Sequence, residues 1–232
     1  MNVLEYRHVD VFSAIPLSGN GLTVFWNGEH LPSKTMQKIA DEMKQFESIF
    51  LFPASDTHCL KARIFTVEEE LDFAGHPILG AACAAHEKIS KNAEMAEWIF
   101  ELPQKIVSVK TIKKEKSYFA AMEQGSPHFE EPLAHSLHEI FLSTFHLTKE
   151  DVHPSLPLQV VSTGLPYLII PLQKGLDNAR ITTDRLEEML SKIGAKFCYL
   201  VDVPNLEGRN WDNLGRVEDV ATGSAAGPVG AY

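Results

Sequence analysis

Apolar positions along this chain recur with two periods, and each period predicts a different kind of element. Alternating polar and apolar side chains over 7–12 and again over 22–26 predict two strands. Apolar residues at helical spacing predict a helix that begins near Ser33 as its N-cap: Met36, Ile39, Ala40 and Met43. The apolar run 49–52 predicts a buried strand with Glu47 at its beginning. The same reasoning predicts strands at 61–66, 158–161, 167–170 and 197–201, and helices near 137–142 and 186–193.

Two glycine loops run directly into segments of small residues. The first loop places His76 at a helix-capping position and Pro77 at the first helical position, after Gly75, which allows a sharp turn. The second is Thr222-Gly223-Ser224 followed by Ala225-Ala226-Gly227. A helix N-terminus presents backbone N–H groups and the positive end of the helix dipole. Both loops are therefore predicted to bind a carboxylate or phosphate group.

The loops belong to a pattern that occurs twice. Each half of the chain reads as strand, glycine turn, strand, helix, two strands, glycine loop and small-residue helix. The turn glycines Gly19 and Gly164 lie 145 positions apart (164 minus 19), and the loop glycines Gly75 and Gly223 lie 148 apart (223 minus 75). A near-constant offset predicts a duplicated unit. We expect an N-terminal half at 1–125 and a C-terminal half at 126–232, joined near 124–132, with a ligand in the cleft between them.

Composition and charge narrow the classes of partner. The chain has 232 residues, is 44% hydrophobic and carries a formal net charge of −10. That charge argues against nucleic acid and anionic membranes as partners. The sequence has no 18-residue apolar run and no secretory signal at its N-terminus, so we expect a cytoplasmic protein. Its three cysteines (Cys59, Cys83 and Cys198) are widely spaced and predict free thiols rather than disulfides or a zinc site.

Glu47 and His76 are the first candidates for chemistry. A carboxylate at the edge of an apolar strand is suited to general acid/base work, because desolvation favours its neutral form. The alternative is a solvated glutamate at a strand end. His76 is a candidate hydrogen-bond donor or proton relay, and the alternative is a histidine that only caps a helix.

Asp219 and Ser224 flank the second loop. Ser224 has the position of an N-cap, which would be a purely structural role. If the two halves are equivalent, it instead faces the same cleft as His76. Asp219 could orient His76 or bind a ligand amine, and the alternative is a turn aspartate. Other motifs are absent: Ser224 lacks the Gly-x-Ser-x-Gly spacing of a nucleophile elbow, and Gly19-Asn20-Gly21 lacks the third glycine of a dinucleotide fingerprint. His135 and His138 are interpreted as a hydrated face, and no metal site is predicted.

Five segments in order resemble the phenazine-biosynthesis-protein F-like family, which shares its fold with diaminopimelate epimerase and proline racemase. They are Val9-Asp10-Val11-Phe12 with Ser18-Gly19-Asn20, Ile39-Ala40-Asp41-Glu42 with Phe46-Glu47-Ser48, Arg63-Ile64-Phe65-Thr66 with Phe73-Ala74-Gly75-His76-Pro77, Ser162-Thr163-Gly164-Leu165-Pro166, and Glu218-Asp219-Val220-Ala221-Thr222-Gly223-Ser224. The third is the most specific. The resemblance extends through most of the chain.

The resemblance implies an α+β fold of two pseudo-symmetric domains, each a β-barrel-like sheet around a central helix. It also implies proton transfer without a cofactor. Glu47 matches the proton-shuttling glutamate of the family, and His76, Asp219 and Ser224 match its other cleft residues. The backbone N–H groups of Gly75 and Gly223 would bind a substrate carboxylate, and the residues implied to line the substrate site are Gly19, Asn20, Gly75, Pro77, Thr222 and Gly223.

Departures from the family pattern shape the expected reaction. Racemases and epimerases of this fold use one cysteine at each glycine loop, and none of the three cysteines falls there. We therefore expect one carboxylate to move a proton within a small unsaturated acid. The alternatives are a catalytically silent anion-binding or regulatory protein, and an epimerase with bases other than cysteine. The chain stops inside the second central helix, so we expect a naturally short member, a truncated one, or a partner that supplies the missing edge. An exposed sheet edge would favour a homodimer.

Overall fold

The computed structural model describes residues 4–219 and 221–232. By its internal contacts the chain divides into two compact units, Met1–Glu123 and Gln124–Tyr232. Each unit contains one sheet, and five α-helices are distributed over the described chain. The expectation of a mixed fold with two sheets is confirmed. Within the described residues no helix is both long and apolar enough to cross a membrane.

Unit 1 contains an eight-stranded sheet and two helices. Its strands are β1 (Glu5–Val11), β2 (Asn20–Trp26), β3 (Glu47–Pro53), β4 (Cys59–Phe65), β5 (Glu70–Leu71), β6 (Met95–Glu101), β7 (Ile106–Lys113) and β8 (Tyr118–Met122). They are ordered β1-β2-β3-β4-β6-β7-β8, with β5 beside β4. The β2–β3 and β4–β6 pairs are parallel and the others antiparallel. The helices of this unit are α1 (Ser33–Met43) and α2 (Gly75–Ile89).

Helix α2 is the centre of this unit because its small residues allow strands to approach closely. It contacts β1, β2, β3, β6, β7 and β8. Ile78, Ala81, Ala82 and Ala85 are completely buried in the main core. A Cβ at Gly80 would lie 2.6 Å from Leu22 and 2.7 Å from Val11, so glycine is required there for close packing. Helix α2 is thus a buried helix of small residues.

Helix α1 packs on a second layer of the same unit. Met36 and Ala40 are buried against Phe25, Phe50 and Phe65, as the helical spacing predicted. The N-cap prediction was wrong: Pro32 is the N-cap and Ser33 is the first helical residue. The Ser33 hydroxyl instead accepts a hydrogen bond from the Arg63 guanidinium at 2.7 Å.

A buried polar network fixes the C-terminal half of α2 to the sheet. His86 is completely buried, and its ring nitrogens lie 2.8 Å from the Thr111 hydroxyl and 3.0 Å from the Ala93 carbonyl oxygen. The Trp98 indole N–H donates to the same Thr111 hydroxyl at 3.0 Å. Buried polar groups are costly unless they are paired, and here each finds a partner.

Unit 2 has layers of helices on both faces of a five-stranded sheet. Its strands are β9 (His128–Phe129), β10 (Gln159–Ser162), β11 (Pro166–Leu172), β12 (Phe197–Asp202) and β13 (Glu207–Arg209), in the order β13-β12-β11-β10-β9. The helices α3 (His135–Thr144) and α4 (Leu186–Ser191) share a core with one face, which includes Phe141 and Leu186. Helix α5 (Gly223–Ala231) contacts β10 and β11, where Ala225 is buried against Tyr167 and Ile169. Two 3-10 turns complete the unit, Lys149–Asp151 and Leu176–Asn178.

The halves are therefore equivalent in their order of loop and helix and different in their sheets. Part of the predicted linker is strand, because His128–Phe129 pairs antiparallel with β10. Both residues of this short strand are exposed, so its sequence shows no alternation of apolar and polar positions. The strand was not predicted for this reason. The strand β11 pairs with β12 in parallel, and every other pair of this sheet is antiparallel.

Candidate active site

The start of α2 carries the first group of predicted residues. Ala74 is the N-cap, with extended backbone and no side-chain capping hydrogen bond, and the helix begins at Gly75. His76 and Pro77 are thus the second and third helical residues, so the capping position predicted for His76 was wrong by two. A Cβ at Gly75 would make only an ordinary 3.7 Å contact with Met122. The turn itself does not require glycine at this position.

Glu47 lies beside His76. Strand β3 begins at Glu47, opposite Leu22 of β2, after Lys44 ends α1 in the left-handed conformation. The distance from Glu47 Oε2 to His76 Nε2 is 3.2 Å, and their side chains are 18% and 10% exposed. This carboxylate is therefore largely removed from water and within hydrogen-bond reach of an imidazole. The structure brings together the two residues that the sequence singled out in the first half.

Gly19 and Asn20 lie at the same end of this sheet, where β2 begins. A Cβ at Gly19 would lie 2.3 Å from the Val11 carbonyl oxygen, so this glycine permits a close approach of two backbone segments. Asn20 pairs with Val11 and is buried. Close backbone packing alone therefore explains a glycine at position 19. The roles of Gly19 and Asn20 in substrate binding stay predictions.

Phe12 is a residue near His76 that the sequence reasoning missed. Its ring centroid lies 6.3 Å from that of His76, and it is half-exposed. Its φ of 68° is in the left-handed region, which is rare for a bulky side chain. No local pattern distinguishes such a residue, because the contact joins positions 64 residues apart (76 minus 12). Phe12 therefore places an aromatic ring beside His76.

An open cavity of about 450 Å³ also borders Glu47. Phe46 and Val67, both exposed apolar side chains, line it together with Thr66. A larger groove of about 650 Å³ lies between β1 and β8 above α2, and neither Glu47 nor His76 is among the residues that line it. Of the two catalytic candidates of unit 1, Glu47 is among the residues that line the smaller cavity.

The start of α5 carries the second group. Thr222 is the N-cap, without a side-chain capping bond, and Ser224 is the second helical residue, so the N-cap predicted for Ser224 was wrong. The Ser224 hydroxyl is bonded instead to the hydroxyl of Tyr167, at 2.6 Å. The Gly223 N–H donates to the Ala221 carbonyl oxygen at 3.1 Å, so this amide already has a partner in a tight turn. Its predicted contact with a carboxylate would require it to exchange that partner.

Asp219 is held in place by backbone contacts. Its N–H donates to the Asn210 carbonyl oxygen at 3.0 Å, and its carboxylate accepts from the Ala221 N–H at 3.2 Å. Its negative charge also contributes to raising the pKa of Tyr167 and of Tyr199, after the larger effect of burial. The predicted roles of Asp219 toward His76 or a ligand amine remain predictions. Val220, between Asp219 and the loop, lies outside the described residues.

Arg209 anchors the segment that precedes the second loop. Its guanidinium forms a two-pronged ion pair with Glu218 at 2.6 and 2.7 Å. It also donates to three carbonyl oxygens of the 3-10 turn, those of Leu176, Asp177 and Ala179, and lies 4.5 Å from the centroid of Trp211. Paired charges of this geometry hold backbone segments in register. Hydrogen bonding to Arg209 lowers the pKa of Glu218, the residue next to Asp219.

The cysteines lie away from both loops. Cys83 is two turns along α2, where burial raises its thiol pKa to about 11. Cys198 is buried in β12 and Cys59 in β4, and burial raises both thiol pKa values. A thiol with a raised pKa is a poor base and a poor nucleophile at neutral pH. The pair of loop thiols that a two-cysteine racemase needs is not present in this chain.

Comparisons with known proteins identify the class to which this chain belongs. The family model for phenazine biosynthesis-like proteins (PhzC-PhzF) matches residues 9–232. The chain belongs to this family. The resemblance deduced from the five segments is confirmed.

Individual relatives are named as isomerases or as an epimerase. The uncharacterized isomerase YddE of Escherichia coli is 32% identical over 238 residues, which cover 98% of this chain and 78% of that protein. The trans-2,3-dihydro-3-hydroxyanthranilate isomerase of Pseudomonas aeruginosa is 30% identical over 247 residues, covering 98% and 79%. A solved structure described as a Predicted Epimerase of Pseudomonas aeruginosa has a TM-score of 0.86 and 46% identity, covering 98% and 80%. The family of this chain is one of isomerases.

Proposed function

We propose that this chain is an isomerase that moves a proton within a small carboxylate substrate, with Glu47 as the group that takes and returns the proton. The observation that carries the proposal is the 3.2 Å approach of the Glu47 carboxylate to His76 Nε2 at the beginning of α2. General acid/base catalysis needs a proton-accepting group of limited hydration at a fixed position, and this carboxylate has both properties.

The remaining residues have supporting roles in this proposal. His76, whose Nε2 lies 3.2 Å from Glu47 Oε2, holds this carboxylate toward the substrate. The beginnings of α2 and α5 bind the substrate carboxylate, because each presents the positive end of a helix dipole. Asp219 and Ser224 contact the substrate from the second loop. The cleft between the halves that the sequence repeat suggests, the homodimer and the cytoplasmic location stay predictions.

The proposed step needs one base and no thiol. Glu47 accepts a proton from one carbon of the substrate, and the electron pair left behind is delocalised toward the substrate carboxylate. The protonated Glu47 then returns the proton to a second carbon of the same conjugated system. The substrate is thereby isomerised without any net gain or loss of atoms or electrons. A small unsaturated acid, such as the trans-2,3-dihydro-3-hydroxyanthranilate in the name of one relative, has the required chemistry.

An epimerase is the second candidate, favoured by the description of the structure that is 46% identical. Inversion at a carbon needs bases on opposite faces of the substrate. The thiols that provide them in racemases of this fold are missing from both loops of this chain. One carboxylate that works on one face is sufficient for the isomerisation and insufficient for epimerisation.

The test is solvent deuterium incorporation into a panel of small unsaturated carboxylates that includes trans-2,3-dihydro-3-hydroxyanthranilate. We expect incorporation by the wild-type protein and a loss of about 100-fold or more in Glu47→Gln, because the amide cannot accept the proton. The matched control is Glu97→Gln on β6, an exposed carboxylate that pairs with Lys110. Unchanged exchange in Glu47→Gln would refute the proposal. Carboxylate binding without exchange in the wild type would favour a silent anion-binding protein.

A further inference from the structure

Phe12 has a combination of properties that a residue of the core does not have. Its side chain is 46% exposed, its φ of 68° lies in the left-handed region, and its ring centroid is 6.3 Å from that of His76. A left-handed backbone costs a residue other than glycine free energy. Because Phe12 is only half-buried, it recovers only part of this cost by leaving water. Packing of the core alone therefore does not explain the position of this ring.

The loop that carries Phe12 is braced by hydrogen bonds between its two limbs. The Asp10 carboxylate accepts the Leu17 N–H at 2.6 Å. The hydroxyls of Ser13 and Ser18 lie 2.7 Å apart and form a second bond across the loop. Surface loops that are closed by their own side chains keep a compact shape. The Phe12 ring is therefore held in a defined position.

That position is next to the pair proposed to act in proton transfer. Phe12 follows the end of β1, Glu47 begins β3 and His76 lies in the first turn of α2. The Phe12 ring neighbours His76, and His76 Nε2 lies 3.2 Å from Glu47 Oε2. The proposed reaction needs a conjugated acid, whose reacting carbons lie in one plane. A planar apolar group packs favourably on an aromatic ring, and Phe12 is the exposed aromatic residue beside this pair.

We propose that Phe12 is a specificity-determining residue, whose exposed ring packs against the planar carbon framework of the substrate while a reacting carbon faces Glu47. The inference rests on the proposed function, since it concerns the substrate of that reaction. Phe12 has no group that can donate or accept a proton, so its contribution to binding grows with the apolar area of the ligand. The site thereby favours acids with a large planar carbon framework over short acids that carry the same carboxylate.

The test measures dissociation constants of acetate, crotonate and benzoate, which carry the same carboxylate on carbon frameworks of increasing size. The constants are obtained from the backbone amide shifts of Gly75 and His76. We expect the wild type to bind benzoate most tightly, and Phe12→Ala to weaken benzoate about 3- to 10-fold, the effect of one lost aromatic contact. Acetate binding should change less than about twofold, because acetate has little apolar area to lose. Phe12→Leu, which keeps an apolar side chain, should weaken benzoate less than Phe12→Ala.

The matched control is Leu17→Ala in the same loop. Leu17 also has a left-handed backbone, with a φ of 65°, and its side chain is 90% exposed. A change in the shape of the loop would therefore affect the Phe12→Ala and Leu17→Ala variants alike. Leu17→Ala should leave the binding of all three carboxylates within about twofold of the wild type, because its side chain lies in solvent.

Three results would overturn this inference and leave the proposed function standing. They are unchanged benzoate binding in Phe12→Ala, an equal loss of acetate and benzoate in that variant, and an equal loss of benzoate in Leu17→Ala. Failure of every carboxylate to shift Gly75 and His76 in the wild type would overturn both the inference and the proposed function.

Discussion

The two glycine loops lead into helices of similar composition and very different surroundings. Helix α2 has ten buried residues among its fifteen and is contacted by six strands of its sheet. Helix α5 has two buried residues among its nine and lies on one face of its sheet, against β10 and β11. The two helix starts are therefore held in position by different kinds of contact. The first helix start is held by packing. At the second, the Ser224 and Tyr167 hydroxyls share a hydrogen bond, and Arg209 pairs with Glu218 in the segment before the helix.

This contrast has a consequence for chemistry. The proposed proton transfer needs a fixed geometry, and the enclosed helix holds His76 in place beside Glu47 of β3. A group that binds ligand can be held by fewer contacts, provided that its hydrogen bonds are directed. We therefore propose that proton transfer occurs at the first loop and that the second loop acts only in binding the carboxylate.

The largest expected difference between the helices is in stability. Ile78→Ala in α2 removes a completely buried side chain and should lower the free energy of unfolding by about 2–5 kcal/mol. Val229→Ala in α5 removes a partly buried one and should cost about 1 kcal/mol or less. Urea unfolding followed by circular dichroism measures both. Equal costs would show that α5 is as enclosed as α2.

A smaller loss of stability is expected from removing the hydrogen bonds of Arg209 in unit 2. Arg209→Met should lower the stability of unit 2 by about 1–3 kcal/mol, because it leaves Glu218 and three carbonyl oxygens without their donor. The part that depends on pH is about 0.2–1 kcal/mol, since the Glu218 side chain is 43% exposed. Arg209 lowers the pKa of Glu218. That part is therefore present above the ordinary carboxyl pKa and lost as pH falls through the lowered value.

The measurement is urea unfolding of the wild type and Arg209→Met at about pH 6 and about pH 3, followed by tryptophan fluorescence. Trp211, whose ring lies beside the guanidinium, contributes to this signal together with Trp26 and Trp98. The stability difference should be larger at the higher pH. Arg185→Met is the control, because it breaks an exposed pair with Glu188 and should have a smaller effect. A difference that grows in acid would contradict the assigned ion pair.

Periodic and local features of this molecule could be predicted from the sequence, and long-range contacts could not. The α1 helix followed from the spacing of Met36 and Ala40, and both glycine loops from their small residues. Cap positions at His76 and Ser224 were wrong by two residues, because helix ends depend on backbone angles that several residues can adopt. Tyr167 and Arg209 were missed as site residues. Their partners are 57 and 9 positions away, and neither contact leaves a repeating pattern.

The division of work between the loops is tested most directly by one comparison, that of solvent deuterium incorporation at saturating carboxylate in Glu47→Gln and Ser224→Ala. The account predicts that Glu47→Gln loses exchange by about 100-fold or more while it still binds the carboxylate. Ser224→Ala should bind more weakly and retain exchange near the wild-type rate once saturated. Wild-type exchange in Glu47→Gln, together with its loss in Ser224→Ala, would contradict the account.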